Sequence, residues 1–260
     1  VIPVAGIIRD RKKVFNEVVS SICKKIKTGI CLRLTPSNIE DMGVLAEEIE
    51  ETMLYFNIKK NDCDILIDLE GLKGNNVKEV VQRLIKVINS FPKVGSWRTF
   101  ILASSYFPSS WDRGENIRRE RLDFKVWLEL LRSADKIVRM PSYSDYAIQD
   151  PYWKDSNSGF AGSVTLRYAT VAEWILYKGT KPKADSGDGY YQFNKFCKDL
   201  ITRKEYANAD YSWGDGRIDF YAKIEKTYRD EKVDTGSSST WRQIGFNRHL
   251  TVTANQLSGI

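Results

Sequence analysis

A short apolar, β-branched run gives way to a segment of helical period again and again between Val1 and Met140, at a spacing of roughly thirty residues. This alternation constrains the fold most, because strands separated by amphipathic helices assemble into α/β architectures with a parallel sheet. Strands are expected at residues 1–5, 30–34, 64–69, 99–104 and 136–140. Helices are expected over 10–27, after a capping box Ser37-Asn-Ile-Glu40, from Asn76, and over 121–134. The first helix carries Val14, Phe15, Val18, Val19, Ile22 and Ile26 as its apolar stripe, and Gly29 ends it. At the centre stands Arg98-Thr-Phe-Ile-Leu-Ala-Ser-Ser-Tyr-Phe107. Its apolar opening reads as a strand buried on both faces, and its polar end falls where parallel folds gather their chemistry.

Past Met140 the pattern changes. Residues 141–160 form a loop rich in aromatic and polar side chains, and 163–168 with 173–177 read as a hairpin. Helices are expected over 190–201, 211–226 and 240–257, with Gly236-Ser-Ser-Ser239 as a turn or N-cap. The expected division is therefore an α/β portion over 1–160 and a hairpin-plus-helices cap over 161–260, packed on it.

The formal charge is +6 over 260 residues, which is compatible with a nucleic acid, a nucleotide or another anionic partner without requiring one. Cys23, Cys31, Cys63 and Cys197 form no CxxC pair, so a reducing, cytoplasmic setting is expected. A single histidine, His249, excludes a multi-histidine metal site within this sequence. No apolar run reaches the ~18 residues of a membrane span, so no membrane partner is expected.

Alternation along 64–69 sets Asp68 opposite the apolar Ile65 and Ile67, with Glu70 two residues on, and alternation along 30–34 does the same for Arg33. Arg33, Asp68 and Glu70 near Ser104 or Ser105 would hold a phosphate, perform acid–base work or bind a divalent ion. No pattern names a cofactor, although magnesium is compatible with these carboxylates. The structural alternative is an Arg33–Asp68 ion pair that merely closes the sheet end. Trp111, Arg113, Arg118, Arg119 and Arg121 pair an aromatic with guanidiniums, as phosphate-contacting loops do; the alternative is a solvated helix start neutralised by Glu115 and Glu120. Tyr143, Asp145, Tyr146, Tyr152 and Trp153 would line a stacking cleft or simply pack a loop. Arg167, Asp215, Arg242 and His249 are further candidates in the C-terminal third.

The blocks "SWRTFILASSYFP", "DYAIQDP", "LRYATVAEWILYKG", "ADYSWGD" and "TWRQIGFNRHLTV" resemble those of the beta protein family of T-even and satellite phages and of bacteria. The resemblance implies an N-terminal segment upstream of Val1 with about three more βα units. These would bring the five strands to the eight of a TIM-type (β/α)8 barrel. The expected fold is thus an incomplete TIM-type barrel with a C-terminal β-hairpin and helices, and the alternative is an open doubly wound parallel sheet. A reversal in strand order would decide for the alternative. The resemblance also implies a part in phage–host conflict, as anti-phage defence or phage exclusion. The protein would bind or process a nucleic acid or nucleotide at the strand C-termini. Alternatively, it would act as a non-enzymatic sensor or scaffold for a phage protein or a protein encoded at the same defence locus. The family lends no catalytic residue set.

Overall fold

Alternating βα segments build the first half of the fold as their periodicity demands. The computed structural model describes residues 1–8, 11–72, 74, 76–114, 116–152, 163–181, 188–225 and 234–259. Asp10, Glu115 and Trp153 lie outside them. The chain divides into two units, residues 1–105 with 122–146, and residues 106–121 with 147–260. The division thus falls at three points rather than at a single boundary near residue 160.

The first unit contains β1 (Val4–Ala5), α1 (Lys13–Ile26), β2 (Ile30–Leu34), α2 (Met42–Phe56), β3 (Cys63–Gly71), α3 (Val77–Ser90) and β4 (Thr99–Ser105). In the second unit, β5 (Asn116–Glu120) follows; the first unit then resumes with α4 (Leu122–Arg132) and β6 (Ser142–Asp145). The sheet order is β1-β2-β3-β4-β6, every neighbouring pair is parallel, and no reversal interrupts it. The switch point of a doubly wound sheet is therefore absent here. Right-handed crossovers in an unreversed order put the helices on one face. There Leu32, Leu34, Ile65, Ile67, Phe100 and Leu102 are buried. The other face carries Arg33, Leu66, Asp68 and Ile101 in neighbouring registers.

Several local expectations are corrected. The N-cap of α2 is Asp41, whose Oδ1 accepts from the backbone N–H of Gly43 and Val44, not Ser37. On α1 the buried positions are Asn16, Val19 and Cys23, whereas Val14 is 70% exposed and Phe15, Val18 and Ile26 are exposed too. α1 packs on α2, and four of the six residues of its apolar stripe are left exposed. The fifth strand is Ser142–Asp145, not residues 136–140. Ala134–Lys136 is a 3-10 turn, and Arg139 donates to the carbonyls of Val94, Trp97 and Arg98. Pairing begins only beyond Pro141, where Tyr143 packs edge-on against Phe124 and Trp127. Gly29 does follow the end of α1: its φ is +79°, and a Cβ there would lie 1.9 Å from the carbonyl oxygen of Asp62.

Among the described residues the second unit is a three-stranded antiparallel sheet, β5-β8-β7, with three α-helices. β7 (Thr165–Ala169) and β8 (Glu173–Lys178) form the expected hairpin. β5 lies in the stretch read from the sequence as a phosphate-contacting loop or a solvated helix start. Its alternation is carried by charged residues, and Arg118 finds Glu205 and Glu173 instead of solvent. α5 (Gln192–Ile201), α6 (Trp213–Lys223) and α7 (Ser238–Ser258) enclose a core including Leu166, Tyr168, Tyr177, Phe193, Tyr221 and Trp241. Ser237 and Thr240 form a reciprocal capping box that starts α7.

Candidate functional site

Two groups of polar side chains gather the residues singled out from the sequence. In the first unit, β3 ends in an irregularity between Asp68 and Gly71, with Glu70 at φ +57°. Bulges of this kind re-aim side chains at strand ends. Asp68, 2% exposed, accepts three hydrogen bonds: at Oδ2 from Arg33 Nε and the Tyr146 hydroxyl, both at 2.5 Å, and at Oδ1 from the Glu70 N–H at 2.8 Å. Arg33 also reaches the Tyr146 oxygen at 3.1 Å and Glu70 Oε1 at 3.5 Å. Burial opposes the Arg33 charge, but the hydrogen bond to Asp68, the Asp68 charge and Tyr146 together outweigh it and hold the guanidinium above its ordinary value. Burial, reinforced by the hydrogen bond to Asp68, pushes the Tyr146 phenol up.

The sequence thus placed Arg33, Asp68 and Glu70 together, and missed Tyr146 as the closing member. Ser105 shares the face of Ala103, the register partner of Asp68, while Ser104 shares the helix-covered face of Leu102. Asp145 accepts from the Tyr143 hydroxyl at 2.8 Å. Among the described residues no group of three or more His, Cys, Asp or Glu is arranged to hold a metal. The cation that Asp68 and Glu70 share is Arg33.

In the second unit a cavity of about 170 Å³ is lined by residues from the 106–121 segment, the 148–150 turn, both strands of the hairpin and α7. Arg167 projects from β7 opposite its core-facing neighbours Leu166 and Tyr168. Its guanidinium carbon lies 6.0 Å from the centroid of the Phe107 ring. Burial, with a smaller contribution from the Arg242 charge, pushes the Arg167 pKa down to about 10. Its Nε is buried without a hydrogen-bond partner among the described residues, and so is Trp111 Nε1. Lys178 donates to the Trp111 carbonyl and lies 5.4 Å from the Trp111 ring centroid. Among the described residues Asp150 is the one acidic side chain on the wall, and its Oδ1 accepts from the Tyr152 N–H. Gly245 lets α7 close on β7, since a Cβ there would sit 3.3 Å from the Arg167 carbonyl oxygen.

Three candidates, Trp111, Arg167 and Arg242, therefore converge on the cavity; Lys178 and Asp150 join them without having been singled out. The remaining candidates do other things. Arg118 is bound to Glu205 and Glu173. Arg119 stacks 4.9 Å from the Tyr106 ring centroid. Arg113 is exposed and stands off the cavity. The buried Asp215 takes Arg248, Tyr168 and Ser212 as partners, a structural knot. His249 is buried and stacked on Trp174, with ring centroids 5.0 Å apart.

Fold and cavity define the class: a two-unit α/β protein with a small cationic pocket in its second unit. The sequence model of the Beta protein family matches residues 1–255, and the chain belongs to that family. Comparison with curated proteins and with solved structures returns no match. Among the described residues no helix is long and apolar enough to cross a membrane.

Proposed function

We propose that this protein binds a phosphate-bearing ligand, a nucleotide or a nucleic acid, in the cavity of its second unit, and does so in phage–host conflict. Arg167 carries the reading. A guanidinium with a buried, unpartnered Nε beside a second guanidinium is costly unless an anion completes it. Arg242, Lys178 and the free indole N–H of Trp111 add donors around the same space. The phage–host role rests on family membership. A cytoplasmic setting is supported by four unpaired cysteines, all buried.

The first unit is read as an arc of a TIM-type barrel, supported by its unreversed parallel order. Asp68 there is saturated by Arg33, Tyr146 and Glu70, which favours a scaffolding part over base or metal-ligand chemistry. That saturation, with the exposed apolar residues of α1, supports binding without catalysis, including a sensor or scaffold that meets a partner protein.

The test is fluorescence anisotropy with labelled single-stranded DNA and RNA at two salt concentrations. Affinity should fall steeply with salt. Arg167→Ala combined with Arg242→Ala should weaken binding by about tenfold or more, and Arg113→Ala should change it little. Salt-insensitive binding, or none to DNA, RNA or nucleotides, overturns the reading. In cells, the double variant should lose its effect on phage plating.

A further inference from the structure

Resting on the reading that the second-unit cavity takes a phosphate-bearing ligand, we propose that it is built for a terminal, dianionic phosphate monoester rather than for an internal phosphodiester. Charge gives the first argument. Among the described residues, Arg167, Arg242 and Lys178 face a single carboxylate, Asp150, so this wall carries two uncompensated positive charges. A diester phosphate supplies one negative charge; a monoester supplies about 1.5 to 2 at neutral pH. Only the monoester comes close to neutralising the wall.

Donor geometry gives the second. Arg167 Nε and Trp111 Nε1 are both buried and both lack an acceptor among the described residues. The fork of Arg242 and the Lys178 ammonium add further N–H groups, although Lys178 already gives one to the Trp111 carbonyl. A monoester offers three terminal oxygens to this set, one more than a diester. Size gives the third. At about 170 Å³ the cavity is well below the roughly 300–1,000 Å³ of pockets that swallow a drug-sized ligand. It admits a phosphoryl head and excludes most of a nucleoside. The donors come from β7, β8, α7 and the 106–121 segment, so they surround an inserted end rather than track a strand passing by.

The experiment compares two short single-stranded oligonucleotides of the same sequence, one with a 5′-phosphate and one with a 5′-hydroxyl, by isothermal titration with the full chain. The phosphorylated oligonucleotide should bind about tenfold tighter or better. That advantage should vanish in Arg167→Ala and in Arg242→Ala. It should shrink between about pH 7.5 and pH 5.5, as the phosphate takes up its second proton near pH 6. Arg167→Lys, which keeps the charge but not the fork, should retain part of it and guards against an unfolded Ala variant; circular dichroism checks folding of each. Equal affinity for the two oligonucleotides, lost in the arginine variants, overturns the terminal-phosphate proposal and leaves the broader anion reading standing. No binding of either by the folded wild-type protein overturns both.

Discussion

Asp68→Ala is the substitution whose cost the structure specifies most fully. The carboxylate is 2% exposed and accepts from Arg33, Tyr146 and the Glu70 N–H. Its removal strands a guanidinium and a phenol together. Breaking a buried ion pair typically costs about 3–5 kcal/mol. Here the Arg33 side chain is 29% exposed and keeps Glu70 at 3.5 Å, so part of the loss is recovered. We expect about 2–4 kcal/mol, read as a fall of roughly 5–12 °C in the melting transition of the first unit. Asp68→Asn cannot satisfy all three donors, because one end of the amide is itself a donor, and should cost about 1–3 kcal/mol. Urea unfolding followed by circular dichroism measures both, and an Arg33→Ala, Asp68→Ala cycle isolates the pair. If both variants unfold within about 0.5 kcal/mol of wild type, Asp68 is not holding the strand ends, and a role in chemistry returns for it.

Gly29→Ala should be among the most damaging changes at a small residue, since its Cβ would meet the Asp62 carbonyl at 1.9 Å in a left-handed backbone; loss of about 2 kcal/mol or more in urea, or insoluble protein, is expected. Asp64 accepts from Arg98 Nε and Nη2, at 2.8 and 2.7 Å, and that hydrogen bonding holds its carboxyl below the usual aspartate range against the effect of burial. The stability it contributes is present above its unfolded pKa of about 3.9 and is lost as pH falls through the lower folded value. Asp64→Asn should therefore destabilise the protein at neutral pH and converge with wild type in strong acid, and a constant gap across an acid titration would contradict this. Arg167→Met should raise stability by about 1–3 kcal/mol while abolishing anion binding, because it removes an uncompensated charge from a desolvated wall. A destabilised Arg167→Met protein would mean that the arginine serves the fold.

Period and alternation carried much of this architecture. The parallel order, the β7–β8 hairpin and the meeting of Arg33 with Asp68 all follow from which residues share a face. What escaped was set by neighbours remote in sequence. Asn116–Glu120 is a strand because β8 offers it an edge and because Glu173 and Glu205 accept Arg118; apart from Ile117 its own residues are polar. Residues 137–140 are more apolar than Ser142–Asp145, yet Arg139 spends its donors on the turn before β4 and pairing starts later. The stripe on α1 was legible, but which of its residues would be covered was not, since that depends on the elements beside it. The cavity was visible only in fragments. Arg167, Trp111 and Arg242 each stood out, but nothing local says that Lys178 and Asp150 share their space.

The chain passes from one unit to the other at residues 105, 121 and 146, so neither unit is a contiguous piece of the gene. During synthesis β5 leaves the ribosome well before its only described strand partner, β8, exists, and must wait unpaired while α4 and β6 are made. Trp111, on the same early segment, can share the cavity with Arg242 only after that residue, 131 positions further on, has emerged. A shortened protein beginning at Ala147 would keep the hairpin and three helices but lack β5 and the Trp111 wall. It should expose the free edge of β8 and tend to associate through it. Deletion of α7 should likewise remove Arg242 and leave the remaining segments of the second unit without the helix that closes on β7.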